Sequence, residues 1–186
     1  MEQFAVLDTE TNWKNELMSL GAFLGESDGF SPVGGKYYVL EPQWQVGGMY
    51  DGVLDLAPRA CTQYVSRETA IEGLRDFLQA HGVTKIFAYN ARFDLGLLPE
   101  LRDFSWYDIM RLAAYRQYNC RIPAHWPCCK TGRLKSHYGV EPMLRLLSGD
   151  PGYRETHNAC LDARDELRIM ALLGLPLSSY EAGRIL

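Results

Sequence analysis

Apolar residues come first in short blocks and later in spaced stripes. Phe4-Ala5-Val6-Leu7, inside QFAVLDT, is an unbroken apolar run and reads as a buried strand. ELMSLGAFLG (Glu16–Gly25) and KYYVLEP (Lys36–Pro42) read as two more strands, and the turn formers of ESDGFSPVGG between them predict a hairpin. Periodicity then fades. Gly47-Gly48, Asp51-Gly52 and Pro58 make residues 43–65 a long loop or a small surface excursion. Helical spacing appears at Ser66–Gly82, where Ile71, Leu74, Phe77 and Leu78 form a stripe, Ser66 suits the N-cap and Gly82 the stop. KIFAYN (Lys85–Asn90) is a short buried strand. The helix-like RFDLGLLPELRD follows, kinked or ended by Pro99. FSWYDI (Phe104–Ile109) is another strand, with a helix from about Met110. Leu134–Tyr138 and Glu141–Leu147 read as short helices and Asn158–Leu173 as a longer one. Three strands followed by alternating helices and strands predict an α/β domain with a mixed sheet, antiparallel at its start and parallel later, flanked by helices.

Composition narrows the class without naming a partner. The chain has 186 residues, 47% of them hydrophobic and 23% charged, with net charge −4. One globular domain over 1–186 is expected, and no global basic excess announces nucleic acid. The five cysteines are an odd set without a disulfide pattern. No secretory pattern opens the chain. The longest apolar stretch, Ile169–Leu177, is too short to span a bilayer. The expectation is a cytoplasmic protein with no membrane partner.

The acids change the picture. Asp8 and Glu10 follow the first apolar run at alternate positions, so they point to one side of the strand, where two carboxylates repel. Asp94 lies just past a buried strand, where α/β folds gather active groups. Asp108 ends another strand. His157 and Asp162 stand at the start of the last helix. Five helical residues turn through about 500°, so these two share no face within one helix. They converge if His157 sits in the preceding loop and Asn158 caps the helix. Asp165 and Glu166 are expected on that helix's solvated face. His81, His125 and His137 read as structural.

Asp8-Thr9-Glu10, then Asn90-Ala91-Arg92-Phe93-Asp94, then His157 with Asp162 five later, resemble in order and context the three motifs of the DEDDh (DnaQ-like) 3′–5′ exonuclease family. That family includes the epsilon proofreading subunit of DNA polymerase III and, more distantly, ribonuclease T and oligoribonuclease. The resemblance runs from Phe4 to about Leu173. The sequence departs from the pattern at Tyr89, where many relatives have histidine, at Ile109, where threonine is common, and across 43–65 and 116–135. The resemblance implies a ribonuclease H-like fold, with Asp8, Glu10, Asp94 and Asp162 as ligands of two divalent cations, Mg²⁺ or Mn²⁺. Paired cations of this kind explain why converging carboxylates are tolerated. It also implies that Asp8 bridges both ions, that Asp94 acts largely through water, and that His157 is the general base. The backbone near Glu10 and Thr11 would receive the terminal 3′-hydroxyl. Phe93 is a candidate for packing on the terminal nucleotides, and Asn90 for holding its loop.

Between Ile109 and Val140 there is no acid, while Arg111, Arg116, Arg121, Lys130, Arg133 and Lys135 alternate with Tyr115, Tyr118 and Trp126. Cations interleaved with aromatics suit a phosphate backbone and stacked bases. Arg133 and Lys135 are the candidate substrate contacts. Cys120, His125, Cys128 and Cys129 match no common zinc spacing and read as idle thiols and a structural histidine. The expected partner is a single-stranded 3′ end. DNA is the leading substrate, with an exoribonuclease and a catalytically inactive nucleic-acid-binding module as alternatives. Few residues follow the last long helix, so a stable polymerase partner is not evident, and a homodimer is left open.

Overall fold

A computed structural model describes residues 2–186. Strands β1 (Gln3–Thr11), β2 (Leu17–Glu26) and β3 (Pro32–Glu41) form an antiparallel meander. The excursion 43–61 carries three short 3₁₀ helices, Gln43–Val46, Asp51–Leu56 and Arg59–Cys61. It ends in β4 (Thr62–Ser66), which joins β3 in parallel. Helix α1 (Arg67–Ala80), capped by the Ser66 hydroxyl, leads to β5 (Lys85–Ala88). Then come α2 (Arg92–Leu97), β6 (Ser105–Asp108), α3 (Met110–Ala113), α4 (Val140–Ser148) and α5 (Ala159–Leu173). The sheet has six strands in the order β4-β3-β2-β1-β5-β6, with β5 parallel to both β1 and β6. The mixed sheet flanked by helices is therefore as expected.

Strand β1 divides the core. Phe4 and Val6 pack with Phe87, Tyr107, Met143 and Leu167 on the α4–α5 side. Ala5 and Leu7 pack with Leu74, Leu78 and Trp106 on the α1 side. Period-2 alternation therefore carries Asp8 and Glu10 onto the face that α5 covers.

Two expectations fail locally. Strand β4 is missed because it is a short edge strand with mostly exposed side chains, so no apolar alternation marks it. Leu134–Tyr138 is not helical. The Leu134 N–H is taken by the Ala114 carbonyl and the Lys135 N–H by the Pro127 carbonyl, so distant partners replace the helical ones. The helix after Met110 is one turn long, and an irregular segment held by bridges Tyr115–Arg133 and Cys128–Leu134 follows it.

Candidate active site

Asp8 and Glu10 come from the end of β1, opposite Gly21 and Ser19 of β2. The register shifts between Glu10 and Thr11, an irregularity that re-aims side chains at a strand end. Above them lies the first turn of α5. Gly21 allows this approach, because a β-carbon there would collide with the Ala159 carbonyl. Asn158 caps α5 through its side-chain oxygen, which accepts from the Cys160 and Leu161 N–H groups at 3.2 Å each. Its amide group also donates to the Val53 carbonyl at 2.8 Å, tying the helix start to the 43–61 excursion.

The loop before this cap holds His157 with φ of 57°, a left-handed conformation uncommon outside glycine. His157 thus lies off the helix, as the register argument required. One ligand atom each from Glu10, His157 and Asp162 converge within 4.8 Å of one another. Tyr50 stacks on the His157 ring, with centroids 4.1 Å apart and planes 17° apart. Neither Tyr50 nor its excursion carried a sequence signal for this contact.

Asp94, in the first turn of α2, is 2% exposed and accepts the Thr9 hydroxyl at 2.7 Å. Asp108 is a structural carboxylate. Its Oδ1 accepts the N–H groups of Asn90 (2.9 Å) and Met110 (3.0 Å). Asn90 takes a positive φ of 66°, and its carbonyl accepts the Phe93 N–H, so it shapes the loop that presents Asp94.

The placement of Asp165 and Glu166 on a solvated face is wrong. Glu166 is 2% exposed, and its Oε2 accepts the Tyr89 N–H at 2.9 Å. Asp165 is also buried and accepts the Tyr153 hydroxyl. Helix α5 packs on β1 and β2 with one flank and on α4 with another, so little of it is left to solvent.

These carboxylates raise one another's proton affinity. Burial, then Glu166, Asp94, Asp162 and Glu10, push Asp8 well above the usual carboxylate range. Burial and Asp162 push Glu10 up to about 8. Burial with Glu155 and Asp165 brings Asp162 to about 8. Burial raises Asp94 to about 7, against the Thr9 hydrogen bond that lowers it. Asp8 Oδ2 and Asp162 Oδ1 are shut off from solvent with no hydrogen-bond partner. Orphaned oxygens among hard, mutually repelling donors are what a divalent cation such as Mg²⁺ or Mn²⁺ would satisfy, so the residues fit such ions.

The expected substrate contacts are less unified. Thr11 lines a cleft of about 210 Å³ with Glu10, Trp13, Met49 and Tyr50. Trp13 is 64% and Phe93 50% exposed, leaving two aromatic faces free. In the basic segment, several cations serve the segment itself. Arg116 donates to the Pro123 and Trp126 carbonyls, Arg121 to the Leu147 carbonyl, and Arg111 lies 4.2 Å from the Tyr115 ring centroid. Arg133 sits over the Tyr138 ring at 5.1 Å, while Lys130 and Lys135 are exposed. A larger apolar cleft of about 470 Å³, beside Trp126, Pro142 and Leu146, has no carboxylate in its lining. No helix among the described residues is long and apolar enough to cross a membrane.

No family model matches the sequence, and no curated protein matches it. Solved structures do match. Exonuclease X in complex with 5′ overhanging duplex DNA aligns over 96% of this chain and 98% of its own, with 18% identity and a TM-score of 0.58. The nuclease domain of 3′hExo, a DEDDh family member bound to rAMP, aligns over 99% and 96%, with 11% identity and a TM-score of 0.67. E. coli exonuclease I in complex with a 5cy-dT13 oligonucleotide aligns over 97% of this chain but 42% of its own, with 14% identity and a TM-score of 0.63. At these identities the likeness establishes a ribonuclease H-like fold of the kind DEDDh nucleases use.

Proposed function

We propose that the protein is a 3′–5′ exonuclease hydrolysing phosphodiester bonds at nucleic-acid 3′ ends with divalent cations. The observation that carries this reading is the convergence of Glu10, His157 and Asp162 within 4.8 Å. The polarity comes from the three-motif resemblance, which extends to the epsilon proofreading subunit. Single-stranded or frayed DNA is the substrate favoured here.

Asp8, Glu10, Asp94 and Asp162 would hold two Mg²⁺ or Mn²⁺ ions. When bound, such ions neutralise charge on the phosphoryl oxygens and acidify the attacking water. His157 takes the proton that this water releases. The Tyr50 stack and the Asn158 cap fix the imidazole against Glu10 and Asp162. Thr9 holds Asp94 in place. Thr11 and the exposed rings of Phe93 and Trp13 receive the terminal nucleotides, where stacking tolerates any base.

Time courses on 5′-labelled DNA and RNA oligomers, single- and double-stranded, test this with Mg²⁺, Mn²⁺ and EDTA. A ladder shortening from the 3′ end, abolished by EDTA and by Asp8→Asn, is expected. EDTA-resistant cleavage, or full activity in Asp8→Asn, would sink the proposal. Preferential RNA cleavage would move the substrate to the ribonuclease alternative.

A further inference from the structure

Cys61 and Cys160 lie 99 residues apart in the chain, so no spacing in the sequence pairs them, yet their sulfurs stand 3.9 Å apart. Both are free thiols. Cys61 ends the last 3₁₀ helix of the 43–61 excursion and is half-buried, with its thiol donating to the Pro58 carbonyl at 3.0 Å. Cys160 is in the first turn of α5 and is fully buried, packed with Tyr37, Leu54 and Ala57. Oxidant therefore reaches Cys61 first, and a second thiol waits in contact behind it. An accessible cysteine beside a resolving cysteine is the usual arrangement of an oxidisable pair.

We propose that Cys61 and Cys160 form an oxidation site, whose disulfide fastens the 43–61 excursion over the candidate active site. Hydrogen peroxide is the oxidant. The Cys61 sulfur attacks one peroxide oxygen. An S–O bond forms, the O–O bond breaks, and the leaving oxygen departs as water with the thiol proton. The Cys160 sulfur then attacks the sulfur of this sulfenic acid. An S–S bond forms, the S–O bond breaks, and the hydroxyl leaves as a second water with the Cys160 proton. Two thiols lose two electrons and one peroxide gains them.

A disulfide holds its sulfurs about 2.05 Å apart, so the pair must close by about 1.9 Å. Helix α5 has little freedom to move, because its Ala159 carbonyl already lies against Gly21. The closure therefore falls on the excursion. The excursion is otherwise tied to α5 by the Asn158 amide, which donates to the Val53 and Leu54 carbonyls at 2.8 and 3.3 Å. It also carries Met49 and Tyr50, which line the cleft of about 210 Å³ beside Glu10 and Thr11. Pockets for small ligands usually offer about 300 Å³ or more, so a terminal nucleotide enters only if the excursion gives way. A covalent tie beside the Asn158 bonds opposes that movement.

The effect on cleavage rests on the exonuclease reading above, while the disulfide itself does not. Full-length protein carrying Cys120→Ser, Cys128→Ser and Cys129→Ser leaves Cys61 and Cys160 as its only thiols. It is treated with hydrogen peroxide, and its peptides are mapped by mass. Peptides joined through Cys61 and Cys160 are expected, and neither Cys61→Ser nor Cys160→Ala should give them. In the oxidised protein the amides of residues 43–61 should exchange more slowly, and Tm should rise by about 5–10 °C. Cleavage of a 5′-labelled DNA oligomer should slow by about tenfold or more, recover in dithiothreitol, and be insensitive to peroxide in Cys61→Ser. Cys61 found free or as its sulfinic acid, with Cys160 still reduced, overturns the oxidation site. A disulfide that leaves exchange over 43–61 unchanged overturns the fastening, as does one that leaves the rate unchanged in an active protein. If the reduced protein cleaves no oligomer, the exonuclease reading fails, and the mapping and exchange still decide this inference.

Discussion

Asp162→Asn should stabilise the metal-free protein, and more so as pH rises. Asp162 is 2% exposed, its Oδ1 has no hydrogen bond, and burial with Glu155 and Asp165 raises it to about 8. The unfolded chain holds this carboxyl near its ordinary value of about 3.9. Between those values the native state carries a proton that the unfolded chain has released, so stability is greatest below about pH 4 and falls as pH rises towards 8. At about 1.36 kcal/mol per pH unit, the native state forfeits about 4 kcal/mol at pH 7 and about 1.5 kcal/mol at pH 5. Neighbouring acids share this penalty, which halves the expected gain to about 2 kcal/mol at pH 7 and under about 1 kcal/mol at pH 5. Urea unfolding in EDTA at both pH values, followed by tryptophan fluorescence, measures the difference. Saturating Mn²⁺ should reverse the order, because ligand at about 100 times its Kd adds about 2.7 kcal/mol to the protein that binds it. A metal-free Asp162→Asn protein less stable than wild type at pH 7, or more stable by the same amount at both pH values, would refute the electrostatic reasoning.

Gly21→Ala forces a β-carbon onto the Ala159 carbonyl. It should cost about 1–3 kcal/mol in stability and weaken Mn²⁺ binding as Asp162 retreats, both read by Mn²⁺-dependent melting. Wild-type melting in this variant would show that the helix approach is not tight. His157→Ala should lower the cleavage rate by about 10²–10⁴-fold with Mn²⁺ affinity unchanged. A fall in affinity like that of Asp162→Asn would make His157 a ligand instead of a base. Arg133→Gln with Lys135→Gln should reduce the slope of log binding constant against log salt by about 1.4 for a single-stranded oligomer. An unaltered slope would remove these two residues from the substrate path.

Much of the fold is legible because its signals are local. The block Phe4–Leu7 needs no partner to read as a strand. Asn158 sits beside an apolar-periodic stretch and caps it as a short polar side chain should. That cap, with the helical angle of the five-residue spacing, also puts His157 off the helix. Strand β4 left no trace because an edge strand with exposed side chains has no apolar alternation to display. The 134–138 segment misled because its apolar and basic residues mimic a helical face, while its N–H groups bond to Ala114 and Pro127 far along the chain.

The chain's own order of residues determines the apolar strands, the caps and the acids at strand ends, since each follows from near neighbours and the period of its element. Only the tertiary structure decides which acids meet. Glu166 follows Asp165 in a run that looks solvated, and it becomes buried because α5 presses on the sheet and on α4 at once. That approach depends on the missing β-carbon of Gly21, about 140 residues earlier in the chain. Tyr50 finds His157 only because the 43–61 excursion folds back over the start of α5. Contacts of this kind depend on how closely two distant surfaces can approach, and no periodicity along one strand or helix records that distance.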